Sequence, residues 1–313
     1  MISNSATAPY SNTGGKSQDN QTAKIDWFAF TVRSPRDATE YQGELLNKIK
    51  HLFNLPEQNY EIANKGWYGY TYRVDLGRYG LMAWGGESQD GTYHIEINAH
   101  GCDLVNDWKA VMDFGIETGA KITRIDLAHD DYGGETVNIA RSIEWYDAGL
   151  FTSSGRPPKR SLIDDFNSGA GKTLYVGDRK SGKLCRVYEK GKQLGDKLSS
   201  WVRFEVELRN KSRVIPWDIC VNASEYLAGS YPCAKLLHFI QKKIATTIKT
   251  AQISYQKMVG WLREAAGKSI STMLEVNGGD IEAILAQIVR PGRPRRLRDL
   301  DLGGMDNYSF SAV

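Results

Sequence analysis

Cysteine is scarce in this chain: Cys102, Cys185, Cys220 and Cys233 are the only 4 in 313 residues, and no two form a Cys-x-x-Cys pair. That spacing argues against a zinc ribbon or a disulfide framework and leaves reduced, packed thiols. No run of roughly 18 or more apolar residues occurs, so nothing reads as a membrane span. The N-terminus also lacks the apolar core of a secretory signal, and the expected location is the cytoplasm. No glycine-rich Walker loop is present, which argues against ATP hydrolysis, and the 5 histidines include no His-x-His pair. Charge of one sign is missing as well. With 40 Lys and Arg against 37 Asp and Glu the net charge is +3, so any face that binds nucleic acid has to be local.

What is present is an alternation of strands and helices. Residues 1–23 are rich in Ser, Asn, Thr, Gly and Gln without an apolar period and read as a disordered tail. Order is expected from residue 24, in an alternating aromatic and β-branched run to residue 32. Helices are predicted at 38–53, 104–118 and 135–148, the second closed by Gly119. A hairpin is predicted over 68–84, and strands at 92–99, 121–128, 173–177, 184–189 and 201–209. Residues 151–172 are polar and read as a long loop. From residue 216 the pattern turns helical to about 289, and 290–313 is a basic, Pro-containing tail. The expected fold class is α+β: a mostly antiparallel sheet with helices on one side, residues 24–215 forming a catalytic domain and 216–289 a helical region.

Four of the strands share an oddity. In Arg186-Val-Tyr188-Glu-Lys190 an extended backbone would point Arg186, Tyr188 and Lys190 the same way. Arg124, Asp126, Ala128 and Asp130 share a face by the same rule, as do His94, Glu96 and Asn98, and Arg203, Glu205, Glu207 and Arg209. A solvent-wetted sheet face is one explanation. A functional face is the other, and it accounts better for carboxylates interleaved with guanidinium groups, since crowded carboxylates need a cation among them. A hard divalent ion such as Mg²⁺ or Mn²⁺ held by carboxylate oxygens would serve.

A phenol between fixed cations is suited to receiving a phosphate, because the cations lower its pKa and neutralise phosphoryl oxygens. A free tyrosine is only about one part in a thousand phenolate at pH 7, a shortfall of roughly 4 kcal/mol of barrier. Arg186, Lys190 and a metal ion are expected to recover much of it. The chemistry implied is attack by Tyr188 on a phosphodiester, giving a 5′-phosphotyrosine and a free 3′-hydroxyl. Tyr175 is the rival nucleophile, although its apolar flanks suit a packed strand residue. Arg124 and Arg203 on the charged face, with Arg179, Lys180 and Lys183 around a turn, are expected to bind DNA phosphates.

Across these strands the chain resembles the replication initiation factor family, often called Rep_trans. The resemblance rests on Arg-Ile-Asp-Leu-Ala-x-Asp at 124–130 and Tyr175-Val-Gly-Asp-Arg-Lys-Ser181, followed by Arg186-Val-Tyr188-Glu-Lys190-Gly and Arg203-Phe-Glu-Val-Glu-Leu-Arg209. It covers about residues 24–215 and implies a rolling-circle initiator of a phage or plasmid in a bacterial host. A fold distantly like the His-hydrophobic-His endonucleases is also implied. The family's nicking tyrosine falls on Tyr188, and its acidic metal positions on Glu96, Asp126 and Glu205. Without a His-x-His pair, carboxylates are expected to hold the ion. Implied partners are origin DNA (single-stranded or cruciform at the nick site), the host helicase and polymerase, and a second copy of the chain. Two other readings stay open on the sequence: a conjugative relaxase of related chemistry, and a non-catalytic sheet that binds single-stranded nucleic acid.

Overall fold

A computed structural model describes residues 22–292, apart from 35–37, 58–59, 61, 64, 90, 154, 212, 239 and 245–247. All but two residues of the expected N-terminal tail, and the basic tail beyond Gly292, lie outside the described residues. The two described tail residues are tied down: the backbone N–H groups of Thr22 and Ala23 both donate to Ser224 Oγ at 3.0 Å.

The alternating segments form ten strands: β1 (Lys24–Arg33), β2 (Ile62–Ala63), β3 (Tyr72–Asp75), β4 (Gly80–Trp84), β5 (Thr92–Ile97), β6 (Lys121–Asp131), β7 (Arg160–Ile163), β8 (Thr173–Asp178), β9 (Lys183–Tyr188) and β10 (Val202–Arg209). They make one sheet in the order β2-β3-β4-β5-β1-β6-β10-β9-β8-β7, with every neighbouring pair antiparallel. β1 therefore lies inside the sheet between β5 and β6, and β10 is inserted between β6 and β9. Between Ile25 and Trp27 the β1–β6 register shifts by a bulge. The extra residue breaks the alternation, and the Asp26 carboxylate reaches Arg203 on β10.

The helices are α1 (Ala38–Leu52), α2 (Ala99–Cys102), α3 (Trp108–Glu117), α4 (Ile139–Asp147), α5 (Lys190–Gln193), α6 (Ala223–Ala228), α7 (Ile248–Val276) and α8 (Ile281–Ile288). Side-chain caps set where two of them begin. Asp107 accepts from Ala110 N at 3.0 Å and starts α3, and Asn138 accepts from Arg141 N at 2.8 Å and starts α4. Each helix thus opens a few residues later than its apolar period suggests, because the carboxylate or amide satisfies an otherwise orphan N–H only there. Gly119, at φ +63°, ends the turn after α3.

One face of the sheet is apolar and carries the core. Phe28 and Phe30 of β1 meet Phe53, Trp108, Phe114 and Trp217 with ring centroids 5.4–6.4 Å apart. Phe204 of β10 stacks on Phe151, which in turn meets Tyr231. The four cysteines are free and buried. The result is a mostly antiparallel α+β fold. Two expectations are corrected. Within 151–172 an edge strand, β7, pairs with β8. Its four residues are all exposed, so it has no apolar alternation to read. The stretch after residue 216 is not continuously helical: short 3₁₀ turns at Trp217–Cys220 and Pro232–Leu237 flank α6, the second opening on a proline that lacks an N–H.

The chain divides into two compact units between Ile244 and Ala245. The first holds the sheet. In the second, α7 and α8 are joined by a turn with Gly278 and Gly279 at φ +60° and +85°, and Asp280 caps α8 through Ala283 N at 3.0 Å. Among the described residues no helix is long and apolar enough to cross a membrane.

Candidate active site

The second face of the sheet holds the charged residues, and it is not a wetted surface. Asp126 and Glu207 are 1% exposed, Arg203 and Glu205 3%, and Tyr188 8%. The register explains how they meet. Asp126 of β6 sits opposite Glu207 of β10, Glu205 opposite Arg186 of β9, and Arg203 opposite Tyr188. Cross-strand partners project to the same side, so three strands deliver one continuous layer of charge.

Tyr188 Oη donates to Glu205 Oε2 at 2.9 Å. The other oxygen of that carboxylate accepts from Arg186, whose Nη2 also donates to Asp126 Oδ2 at 3.0 Å. Asp126 is gripped in addition by Arg124, Nε at 2.9 Å and Nη2 at 2.6 Å, and the Arg124 guanidinium lies 4.3 Å from the Trp27 ring centroid. Glu207 collects Arg209 at 2.6 Å and Arg179 at 3.0 Å, with Arg124 at 3.5 Å. At the far end Arg203 forks onto Asp130, with Nε at 2.7 Å and Nη2 at 2.8 Å, and donates to Asp26 at 2.7 Å. Trp201 Nε1 adds a bond to Asp130 at 2.8 Å.

The electrostatics differ from the sequence expectation at the tyrosine. Burial, and then the neighbouring Glu205 charge, push the Tyr188 phenol well above its ordinary pKa rather than below it. Lys190 does not share its strand. β9 ends at Tyr188, and Lys190 opens α5, its ammonium 5.6 Å from the Tyr188 ring centroid and 3.2 Å from Gln193 Oε1. Burial, with Arg203 nearby, lowers the Lys190 pKa. Burial also raises Asp126, and although Arg124 opposes it the carboxyl is pushed up to about 7, with Glu205 and Glu207 contributing. Burial works against ionisation of Asp130 and Glu207 too, but Arg203 at the first and Arg124, Arg209 and Arg179 at the second outweigh it and hold both below their usual range.

Glu96, Asp126 and Glu205 are not brought together as an ion-binding set. They lie on β5, β6 and β10, and β1 separates the first from the second. Both oxygens of Asp126 face guanidinium groups, Glu205 is shared between Arg186 and Tyr188, and Glu96 lies 3.5 Å from His94 Nε2. Among the described residues no group of three or more His, Cys, Asp or Glu is arranged to hold a metal ion. As a donor set for Mg²⁺ or Mn²⁺ the three do not fit, because a cation there would have to displace arginines that already supply the positive charge.

Two of the expected DNA contacts are also corrected. Arg203 is enclosed by Asp130 and Asp26. Lys183 alternates with Arg186's face and turns the other way, donating to Ser230 O with its ammonium 3.5 Å from the Tyr231 ring centroid. Burial, then Arg213, brings that ammonium down to about 8. Arg179 and Lys180 stay on the turn after β8, Arg179 half exposed while paired to Glu207. Tyr175 sits opposite Arg186 on β8, one strand further from Glu205 than Tyr188 is. Sequence reasoning missed Asp26, which the bulge moves out of register, and Trp27 beneath Arg124. An acidic residue inside an otherwise aromatic strand was the one available signal for the first.

No curated protein matches this chain in sequence. In structure it is similar to the rolling circle replication initiator protein from Geobacillus stearothermophilus, at 24% identity over 66% of this chain and 83% of that one, with a TM-score of 0.52. At that identity the likeness speaks for the fold. The family model of replication initiation factors matches residues 120–289, from the start of β6 through the strands bearing Arg186, Tyr188 and Glu205 and on past α8. With more than half of its length matched, including the three strands that carry the charged layer, this chain belongs to the replication initiation factor family.

Proposed function

We propose that the chain initiates rolling-circle replication by nicking one strand at an origin with Tyr188, holding the 5′ end as a phosphotyrosine and later rejoining it. The observation that carries this reading is the 2.9 Å hydrogen bond from Tyr188 Oη to Glu205 Oε2. A phenol whose pKa burial has raised is a poor pre-formed phenolate. It is a competent nucleophile when a base within hydrogen-bond reach takes its proton during attack. Glu205 is that base. Arg186, bound to its other oxygen, holds the carboxylate in line.

In the proposed step the Oη–P bond forms as the P–O3′ bond breaks. The phenol proton passes to Glu205, and O3′ leaves as the 3′-hydroxyl after taking a proton from water. Arg186 and Lys190 supply positive charge beside the phosphoryl oxygens. Arg179 and Lys180, on the exposed turn, are proposed to contact backbone phosphates further along. The acidic residues oppose the reading as a passive single-strand binder, since a carboxylate at the centre of such a face repels phosphate. No step is assigned to Mg²⁺ or Mn²⁺.

The test is incubation with supercoiled replicon DNA, with Mg²⁺ and with Mn²⁺, followed by denaturing electrophoresis. Protein joined to a 5′ end is expected from the native chain and from Tyr175→Phe, and none from Tyr188→Phe, which should still bind the origin. An adduct that survives Tyr188→Phe and is lost in Tyr175→Phe transfers the nucleophile to Tyr175.

A further inference from the structure

Tyr188, Thr173 and Ile163 lie side by side across three neighbouring strands, β9, β8 and β7. The loop 164–172 that joins β7 to β8 therefore springs from the end of the sheet where the candidate nucleophile sits. It is latched to that end directly: Lys172 N donates to Glu189 Oε2 at 2.7 Å, and Glu189 N donates to Lys172 O at 3.2 Å. Glu189 is the residue after Tyr188.

Within this loop Phe166 is 89% exposed at φ +49°, a backbone region that costs a bulky side chain energy. The conformation is held by two carboxylates. Asp164 Oδ1 accepts from Phe166 N at 2.8 Å, and Asp165 accepts from Asn167 N at 3.1 Å and from Gly169 N and Gly171 N at 3.0 Å each. A second loop braces it. A Cβ added at Gly169 would meet Lys197 Cδ at 2.8 Å, and one at Gly171 would meet Lys192 Cβ at 3.1 Å. So an aromatic ring is kept in water by a fixed turn, with lysine stems packed behind it, at the tyrosine end of the ladder. A ring that served only the core would turn inward to save its exposed apolar area.

We propose that Phe166 is a stacking residue for an unpaired nucleobase of the strand that Tyr188 attacks. Single-stranded DNA is the occupant that suits a lone exposed ring on a loop that carries Lys172 and packs against Lys192 and Lys197: bases stack on aromatics whatever their sequence, and the backbone between them needs cations. The inference rests on the reading of Tyr188 as the nucleophile. Ring stacking next to the reacting phosphate would fix the position of that phosphate before attack, which makes Phe166 a positioning residue.

The test uses full-length protein carrying Tyr188→Phe, which holds DNA without cutting it, and oligothymidylates in which a single 2-aminopurine is walked along the chain. At one position or a few, 2-aminopurine fluorescence is expected to be quenched by protein with Phe166 and not with Phe166→Ala. Affinity should fall about fivefold or more in Phe166→Ala, and Phe166→Trp should restore both signals. Unchanged quenching and affinity in Phe166→Ala overturn the inference, as does a loss that Phe166→Trp leaves unrepaired, since stacking needs only a ring. Covalent adduct formation by the native chain separates the two failures. Without the adduct the nucleophile reading falls, and with a normal adduct but unchanged quenching only the role of Phe166 falls.

Discussion

In the proposed reaction Tyr188 and Glu205 divide one task between them: the first supplies an oxygen and the second a place for its proton. Replacing Glu205 by Gln keeps the shape and removes the acceptor, so single-turnover nicking is expected to fall on the order of 10²–10⁴-fold while origin affinity persists. Quench-flow with a labelled oligonucleotide measures it, and an undiminished rate would remove Glu205 from the chemistry. Asp130 works differently, as an anchor for Arg203. Its carboxyl is held below the ordinary range, so its contribution to stability is fully present above an unfolded pKa of about 4 and is lost as pH falls through the folded value. Asp130→Asn should cost about 1–3 kcal/mol at pH 7, because Arg203 loses its forked partner while keeping Asp26. The gap from the native chain should close as pH drops below about 4. Urea midpoints across that range test both the size and the sign.

At the scale of elements, α5 shows how tightly the site is framed. Gly191 N donates to Trp201 O at 3.2 Å, and a Cβ on Gly191 would lie 1.9 Å from Ser199 Oγ and 2.3 Å from its Cβ. Gly191→Ala is therefore expected to destabilise the fold by about 1–3 kcal/mol through overpacking, and Ser199→Gly in the same chain should recover part of it. Thermal melts of the single and double variants decide; equal losses with and without Ser199→Gly would show that the two residues do not meet. The same region marks where the sequence stopped being legible. The charged faces of β5, β6, β9 and β10 could be read from alternation alone, because a period of two survives wherever a ladder is regular. That reading failed at Lys190, where the strand turns into a helix one residue past Tyr188. It failed again at Asp26, where a bulge moves one residue across. It failed in kind for the carboxylates: alternation tells which face a side chain takes, and only the cross-strand register tells that guanidinium groups rather than an ion neutralise it. Phe166 and β7 gave no signal, since an exposed loop and an exposed edge strand carry no period.

For the whole molecule, the proposed hold on DNA can be tested at the basic tail. The basic tail carries Arg290, Arg293, Arg295, Arg296 and Arg298, residue types that touch phosphates without reading bases. Deleting residues 290–313 is expected to weaken binding equally for origin and random sequence and to flatten its salt dependence, because fewer counterions are released. Filter binding at several salt concentrations tests this, and an identical slope with and without the tail would show that it does not contact DNA.

The position of β10 has a consequence for the timing of activity. It is the last strand of the sheet to be made and is inserted between β6 and β9, both made earlier. On the proposed mechanism, a chain interrupted after residue 188 has the nucleophile but neither the carboxylate proposed to take its proton nor Arg203 beside it. Fragments that end there are expected to form no adduct, and cutting is expected only once the sheet is complete. On that reading the order of strands is a safety catch on the ribosome's own product.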